Sequence, residues 1–321
     1  QPTPATGNND MWRLIHEAGF GWERFHIAPN YFRQARRWNF EDYDLLCNTI
    51  TDADQNPDTL AVAERIAAAC GKPVINRPSA IRATQRETVA KRLQGVPGMI
   101  VPKVLRLKNP VLKRVMMQVE TEGFRFPAIL RSTGTHSGRI INIVQRPEDL
   151  ESIFGDRENE FFLTEYVDFA SPDNLYRKMR LFFFGREVMI RHMITAPSWN
   201  VHARERRGLM AEREDLRNEE RATIERGIQN FSADVRAGLS QLRTRLDLDY
   251  FGLDCALAKD GQLIVFEANA TMNFYPFSDN PTYAYMRACI APAVHAMKRL
   301  ILSRVSRKQA AFEPAPIQTA S

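Results

Sequence analysis

The chain has 321 residues, 44% hydrophobic and 26% charged, an ordinary balance for a folded globular protein and enough length for two or three lobes with their own cores. Its 44 Lys and Arg against 38 Asp and Glu leave a net charge of +6, an excess that suits anionic ligands such as nucleotides or acidic substrates. The cations gather into no single aromatic-laced stripe, no apolar run reaches the roughly eighteen residues of a membrane span, and Cys47, Cys70, Cys255 and Cys289 follow no metal spacing. These features point away from nucleic acid and membrane and toward a cytoplasmic protein with reduced thiols.

The polar opening, without an initiator Met or a signal-peptide pattern, reads as a processed chain or a piece of a longer one. A short helix is expected from Met11. ERFHIAP (23–29) and YDLLCNTI (43–50) read as strands. A helix from Asp58 with Leu60, Ala61, Ile66, Ala67 and Cys70 on one stripe is stopped by Gly71, and PVIN (73–76) forms the next strand. Strand, helix and strand in that order predict a parallel βαβ unit, with Asn48, Asp52, Asp54, Asn76 and Arg77 as turn residues or substrate contacts at its strand exits. Thr84 and Glu87 form a capping-box pattern for a helix that carries Arg86 near its start.

After a helix near 110–122, FPAILRSTGTHSGRIINIV (126–144) reads as a hairpin with Arg131 on its first strand. Its turn holds Gly134, Thr135, His136, Ser137 and Gly138, whose backbone N–H groups and hydroxyls suit phosphate. NEFFLTEYVDF (159–169) is a strand ending at Glu165, Tyr166, Val167 and Asp168. LYRKMRLFFFGREVMIRHMITA (175–196) reads as two long strands turning at Phe184 to Glu187, with Lys178, Arg180, Phe182, Arg191 and Met193 on one face. Arginines buried there need anionic partners. Trp199 to His202, at the strand exit, are candidates for an acceptor pocket. The mixed charges of 203–247 predict a solvated helical face, because Asp and Glu nearly match Arg. A final helix is expected over 282–306, with Tyr285, Ala288, Ile290, Val294, Met297, Ile301 and Leu302 in the core, and a disordered tail over 307–321.

The most informative stretch is DYFGLDCALAKDGQLIVFEANATMNFYP (249–276). Asp260-Gly261 predicts a two-residue hairpin turn, which puts Asp254 opposite Glu267 with Asn269 on the same face. Leu253, Cys255, Leu257, Ile264 and Phe266 take the other face. Carboxylates opposed across a strand pair repel unless a cation lies between them, and hard oxygen donors without His or Cys suit Mg²⁺. The alternative is two charges at a solvated strand end.

Asp254 on one strand and FEANATMNFYP on the next resemble the metal-binding end of ATP-grasp ligases, the glutathione-synthetase-like, carboxylate–amine members above all. The resemblance extends over about 40–305. It implies an α/β fold in which an N-terminal parallel α/β lobe is followed by two lobes clasping ATP between antiparallel sheets. The expected boundaries are 1–19 for a tail and short helix, 20–105 for the N-terminal lobe, 106–168 for the central lobe, 169–306 for the C-terminal lobe and 307–321 for a tail.

The same resemblance implies an ATP-dependent carbon–nitrogen ligase, which joins a small-molecule or peptide carboxylate to an amine through an acylphosphate and releases ADP and phosphate. ATP and two Mg²⁺ ions are the implied cofactors, with Mn²⁺ as a substitute, and a homodimer is compatible. Asp254, Glu267 and Asn269 take the metal positions. Arg86 stands where the family has a phosphate-contacting Lys, and Arg131 where it has a second. Gly134, Thr135, His136, Ser137 and Gly138 match the phosphate-covering loop. Glu165, Tyr166, Val167 and Asp168 match the adenine and ribose hinge, with Asp173 as a further ribose contact. Arg131 and Lys178 would offset charge on the transferred phosphoryl group, with Lys178 and Arg180 as further phosphate contacts, and Arg180 and Arg191 would meet the reacting carboxylate. The two Lys-to-Arg departures keep open an alternative, a nucleotide-binding regulatory or partner-binding module with reduced catalysis.

Overall fold

A computed structural model describes residues 9–28, 30–33, 39–133, 140–151, 154 and 160–312. Helix α1 (Met11–Glu17) forms as expected and buries Met11, Leu14 and Ile15. The strand expected at 23–29 does not form over 21–28. Phe25 and Ile27 instead pack on Tyr31, Val62 and Ile66 in a small separate cluster. Strand β1 (Leu46–Cys47), helix α2 (Pro57–Cys70) and strand β2 (Val74–Ile75) make the predicted parallel βαβ unit, with Leu46 opposite Val74. Gly71 ends α2 at φ +62°, a left-handed conformation that glycine adopts without a Cβ clash.

Helices α3 (Pro78–Arg82) and α4 (Arg86–Leu93) follow. The capping box does not form. Thr84 Oγ1 donates to the Ile81 carbonyl at 2.6 Å, closing the end of α3, and Gln85 becomes the residue before α4. Strand β3 (Met99–Ile100) leads to β4 (Val104–Lys108), helix α5 (Leu112–Thr121), β5 (Ala128–Ser132), β6 (Ile140–Val144) and β7 (Glu160–Glu165). Strands β4, β7, β5 and β6 form an antiparallel sheet in that order, and Leu105, Val115, Leu130 and Leu163 belong to its core.

Strands β8 (Tyr176–Phe184) and β9 (Glu187–Ala196) join at Gly185 and Arg186 as predicted, with Gly185 at φ +62°. Helices α6 (Leu209–Glu212), α7 (Glu214–Arg226) and α8 (Ala233–Leu246) precede β10 (Tyr250–Leu257) and β11 (Leu263–Asn269), and α9 (Ile290–Phe312) closes the described chain. The second sheet runs β3-β11-β10-β8-β9, antiparallel except for β3 beside β11. Alternation along β8 splits its side chains between two cores. Leu181 and Phe183 share one with Leu239 and Leu242 of α8, while Phe182 and Phe184 share the other with Met297 and Ile301 of α9 and Met11 of α1.

The 203–247 segment departs from a wholly solvated face. Helix α7 buries Leu216 and Glu220, and α8 buries Val235, Leu239, Leu242 and Leu246. At the C-terminal end, Ala288 and Leu302 prove exposed. Residues Pro281–Cys289 form a 3₁₀ helix rather than the start of an α-helix, so Tyr283, Met286 and Cys289, three apart, turn inward. Helix α9 continues through Phe312, beyond its expected end near 306.

Candidate active site

The β10–β11 hairpin does not turn on two residues. Ala258 N–H donates to the Gln262 carbonyl and Leu257 faces Leu263, so Lys259, Asp260 and Gly261 form the loop, with Gly261 at φ +82°. That slips the register by one residue near the turn, and a β-bulge beside Asp254 and Cys255 restores it. Leu263 and Val265 share a core with Leu253 and Cys255, and the next residues in that core are Ala268 and Ala270. Ile264 and Phe266 belong instead with Ala256 and Phe169. The bulge leaves Asp254 opposite Glu267 as predicted, by a different route.

Asp254 is buried at 6% exposure, and Arg180 forks onto it with Nε–Oδ1 2.7 Å and Nη2–Oδ2 2.9 Å. Lys178 Nζ lies 3.6 Å from its Oδ2. Burial pushes the Asp254 carboxyl up, but the charges and hydrogen bonds of Arg180 and Lys178 outweigh it and hold the group below its ordinary range. Across the strand pair, Glu267 accepts from Arg86 Nη2 at 2.7 Å and from Asn269 Nδ2 at 2.7 Å. The Asn269 oxygen accepts from the N–H groups of Thr271 and Met272, which can only donate, so the amide presents its nitrogen, not its oxygen, to Glu267.

The donor set fits a divalent cation on one count. Two opposed carboxylates, with phosphate oxygens completing the shell, are what Mg²⁺ takes. Among the described residues no cluster of three or more His, Cys, Asp or Glu exists for a softer or fully protein-held metal. Arg86 and Arg180 now neutralise the same two carboxylates, and Asn269 would have to turn before its oxygen could ligate.

Two cavities share Glu267, Asn269 and Thr271 in their walls, whereas Asp254 lines neither. The first, about 130 Å³, opens between the sheets and is lined by Arg86, Arg131, Phe162, Thr164, Glu267 and Asn269. The second, about 440 Å³, is lined by Arg180, Arg191, His192, Arg206, Glu267 and Asn269. Arg131 makes no ion pair among the described residues, and burial and the Arg86 charge push its pKa down to about 10. Arg191 is 4% exposed. It donates from Nε to the Phe274 carbonyl and from Nη2 to that of Pro276, with the Phe277 ring centroid 3.5 Å from its guanidinium carbon. Met193, expected beside Arg191, falls on the other side with Met179, because a bulge at Arg180 and Leu181 shifts the β8–β9 register.

The hinge residues line neither cavity. Glu165 is buried and accepts from the N–H groups of Lys103 (3.0 Å) and Arg125 (2.9 Å), which ties three strand ends together. Tyr166 packs on Trp199 and donates to Asp168, which also meets Lys259; Val167 is half-buried near Phe169. Asp173 is held by both Nη groups of Arg177. Gly134, Thr135, His136, Ser137 and Gly138 lie outside the described residues. Asn48 and Asn76 are consumed by backbone bonds, and Trp199 to His202 stay out of the second cavity.

The chain matches no family model and no curated protein. Among solved structures it is similar to macrocyclase MdnC bound with precursor peptide MdnA, from Microcystis aeruginosa, at 12% identity over 92% of this chain and 96% of that one, TM-score 0.54. A RimK domain ATP-grasp protein from Sphaerobacter thermophilus shares 13% identity over 92% of this chain and 97% of its own, TM-score 0.51. The D-alanine-D-alanine ligase from Coxiella burnetii shares 9% over 86% and 73%, TM-score 0.50.

The chain has the ATP-grasp fold.

Three charged or titratable residues in or beside the cavities were not anticipated from the sequence. Arg106 on β4 meets Asp54 at 2.7 Å, Glu87 at 2.8 Å and Glu160 at 3.1 Å, and those carboxylates hold it charged against the cost of burial. A lone Arg in the apolar run VLRLK was the available signal. His192 in the second cavity is kept well below its ordinary pKa by desolvation and by Arg180, Arg191, Arg206 and Lys178, so it is neutral at physiological pH. Glu220, with no solvent exposure, accepts from Arg206, Tyr285 and the Met193 N–H. Nothing in its charged neighbourhood distinguished it.

Proposed function

We propose that this chain is an ATP- and Mg²⁺-dependent ligase that joins a carboxylate to an amine through an acylphosphate. The observation that carries the reading is the convergence of Arg86 and Arg131 on the cavity that holds Glu267 and Asn269, with Arg180 and Arg191 in the adjoining one. Phosphoryl transfer needs positioning and charge neutralisation more than covalent help from the protein. Arg86 and Arg131 would bind phosphate oxygens, and Arg86 can fork onto them as a Lys cannot. Asp254 and Glu267 would hold the divalent ion, which supplies charge neutralisation at the phosphates when bound. The substrate carboxylate attacks the γ-phosphorus, ADP leaves, and the amine then displaces phosphate from the acyl carbon. Arg180 and Arg191, on the far side of Glu267, would orient that acyl group.

One observation favours a second reading, a nucleotide-binding regulatory module: both carboxylates are already neutralised by arginines. The deciding experiment measures ADP and phosphate release from MgATP with pooled amino acids and small peptides. Release that needs a pool component and vanishes in Asp254→Ala establishes the ligase. MgADP binding without release from any pool favours the regulatory module.

A further inference from the structure

The second cavity is lined by three guanidinium groups of unequal standing. Arg180 is forked onto Asp254. Arg206 is forked onto Glu220, at 2.5 and 2.8 Å. Arg191 has no carboxylate partner among the described residues. Two backbone carbonyls and the faces of Phe274 and Phe277 surround it, and its Nη1 has no hydrogen-bond partner. Burial pushes its pKa down to about 10, which still leaves it charged at neutral pH. A buried cation without an anion is an electrostatic debt that a bound carboxylate removes.

The rest of the lining limits what can carry that carboxylate. Ile194, Met272, Phe274, Pro276 and Met286 contribute apolar surface, beside the polar but uncharged Asn269, Thr271, Asn273 and Ser278. His192 adds no positive charge, because it is neutral. Arg180 and Arg206 already hold Asp254 and Glu220, so a second carboxylate on the ligand would meet no unpaired guanidinium in this lining. The volume, about 440 Å³, falls within the roughly 300–1,000 Å³ of small-molecule sites.

We infer that the second cavity takes a substrate with one carboxylate on an apolar body, anchored by Arg191, in preference to a dicarboxylate such as an acidic amino acid. This rests on the ligase reading only in treating the cavity as a substrate site. Binding of three probes to the full chain without nucleotide tests it by saturation-transfer NMR: N-acetyl-leucine, its uncharged amide, and N-acetyl-glutamate. The expected result is N-acetyl-leucine binding at least about ten-fold more tightly than the other two. Arg191→Met should lose that preference while keeping the thermal shift given by MgADP. Should Arg191→Met fail to fold, Arg191→Lys, which keeps the charge but cannot fork, should weaken N-acetyl-leucine several-fold. Equal or tighter binding of N-acetyl-glutamate or of the amide, no binding of any probe, or unchanged binding in the Arg191 variants each overturns the inference. A wild-type chain that binds N-acetyl-leucine but gives no shift with MgADP would sink the nucleotide reading and leave this one standing.

Discussion

Arg86 and Glu267 form a contact in which the choice of Arg over Lys has a consequence. A guanidinium keeps its charge at any accessible pH and is less strongly hydrated than an ammonium, so it competes well for a half-buried carboxylate. The 2.7 Å contact therefore sets Arg86 against any divalent ion for the same oxygen. Replacing Arg86 by Gln should free Glu267 and raise the affinity for Mn²⁺ alone by about ten-fold, or roughly 1.4 kcal/mol. Electron paramagnetic titration of free Mn²⁺, with no nucleotide present, reads this directly, and unchanged affinity would remove Glu267 from the metal-holding set. The pairing of Asp254 with Glu267 was expected from a two-residue turn, and it stands because the bulge at Asp254 and Cys255 offsets the extra loop residue. The pairings of those carboxylates with Arg86 and Arg180 were not legible, since each joins residues on strands or helices distant in the chain.

Helix α8 shows how elements meet. Its Gly238 looks like a fault, because Ala in a helix interior is favoured by about 1 kcal/mol over Gly. A Cβ built there, however, lands on the Pro97 carbonyl oxygen and lies 3.1 Å from side-chain atoms of Met99 and Val96. The obstacle is backbone, which cannot swing aside. Overpacking of this kind costs about 1–3 kcal/mol. Gly238→Ala should therefore lower the melting temperature instead of raising it, and a higher value would show that 96–99 yields freely. The β10–β11 hairpin teaches a related lesson. Asp260-Gly261 signalled the turn correctly, but a loop of three residues and a compensating bulge produced the predicted Asp254–Glu267 pairing. Turn residues report that the chain reverses, whereas register also depends on what each face must bury.

At the scale of the whole molecule, the first described residues are fastened to the last sheet. Asp10 accepts from the N–H groups of Phe274 (3.0 Å) and Tyr275 (2.6 Å), and Asn9 Nδ2 donates to the Ala270 carbonyl. The loop they hold, 270–276, forms a wall of the second cavity. The N–H of Phe274 is buried and that of Tyr275 part-buried, and leaving a buried one unpaired costs about 1–3 kcal/mol. Asp10→Ala should destabilise the chain by about 2 kcal/mol in urea unfolding, and Asp10→Asn, which keeps one accepting oxygen, by about half as much. Equal stability of wild type and Asp10→Ala would mean that water or another donor geometry replaces the carboxylate without loss.

Local patterns in the sequence were sufficient for the parallel βαβ unit and the two long strands turning at Gly185, because each depends on neighbours within about thirty residues and on the strand and helix periods. The opposed carboxylates also needed the bulge in β10–β11. Tertiary structure decided which charge neutralises which. It gave Glu165 to the backbone of Lys103 and Arg125, turned the Asn269 oxygen toward its own loop, buried Glu220 beneath Arg206, and left Arg191 without an anion among the described residues. Charged side chains are long and can reach partners from any direction. Their pairing is therefore set by which elements come together in space, and by the cost of leaving a charge buried alone.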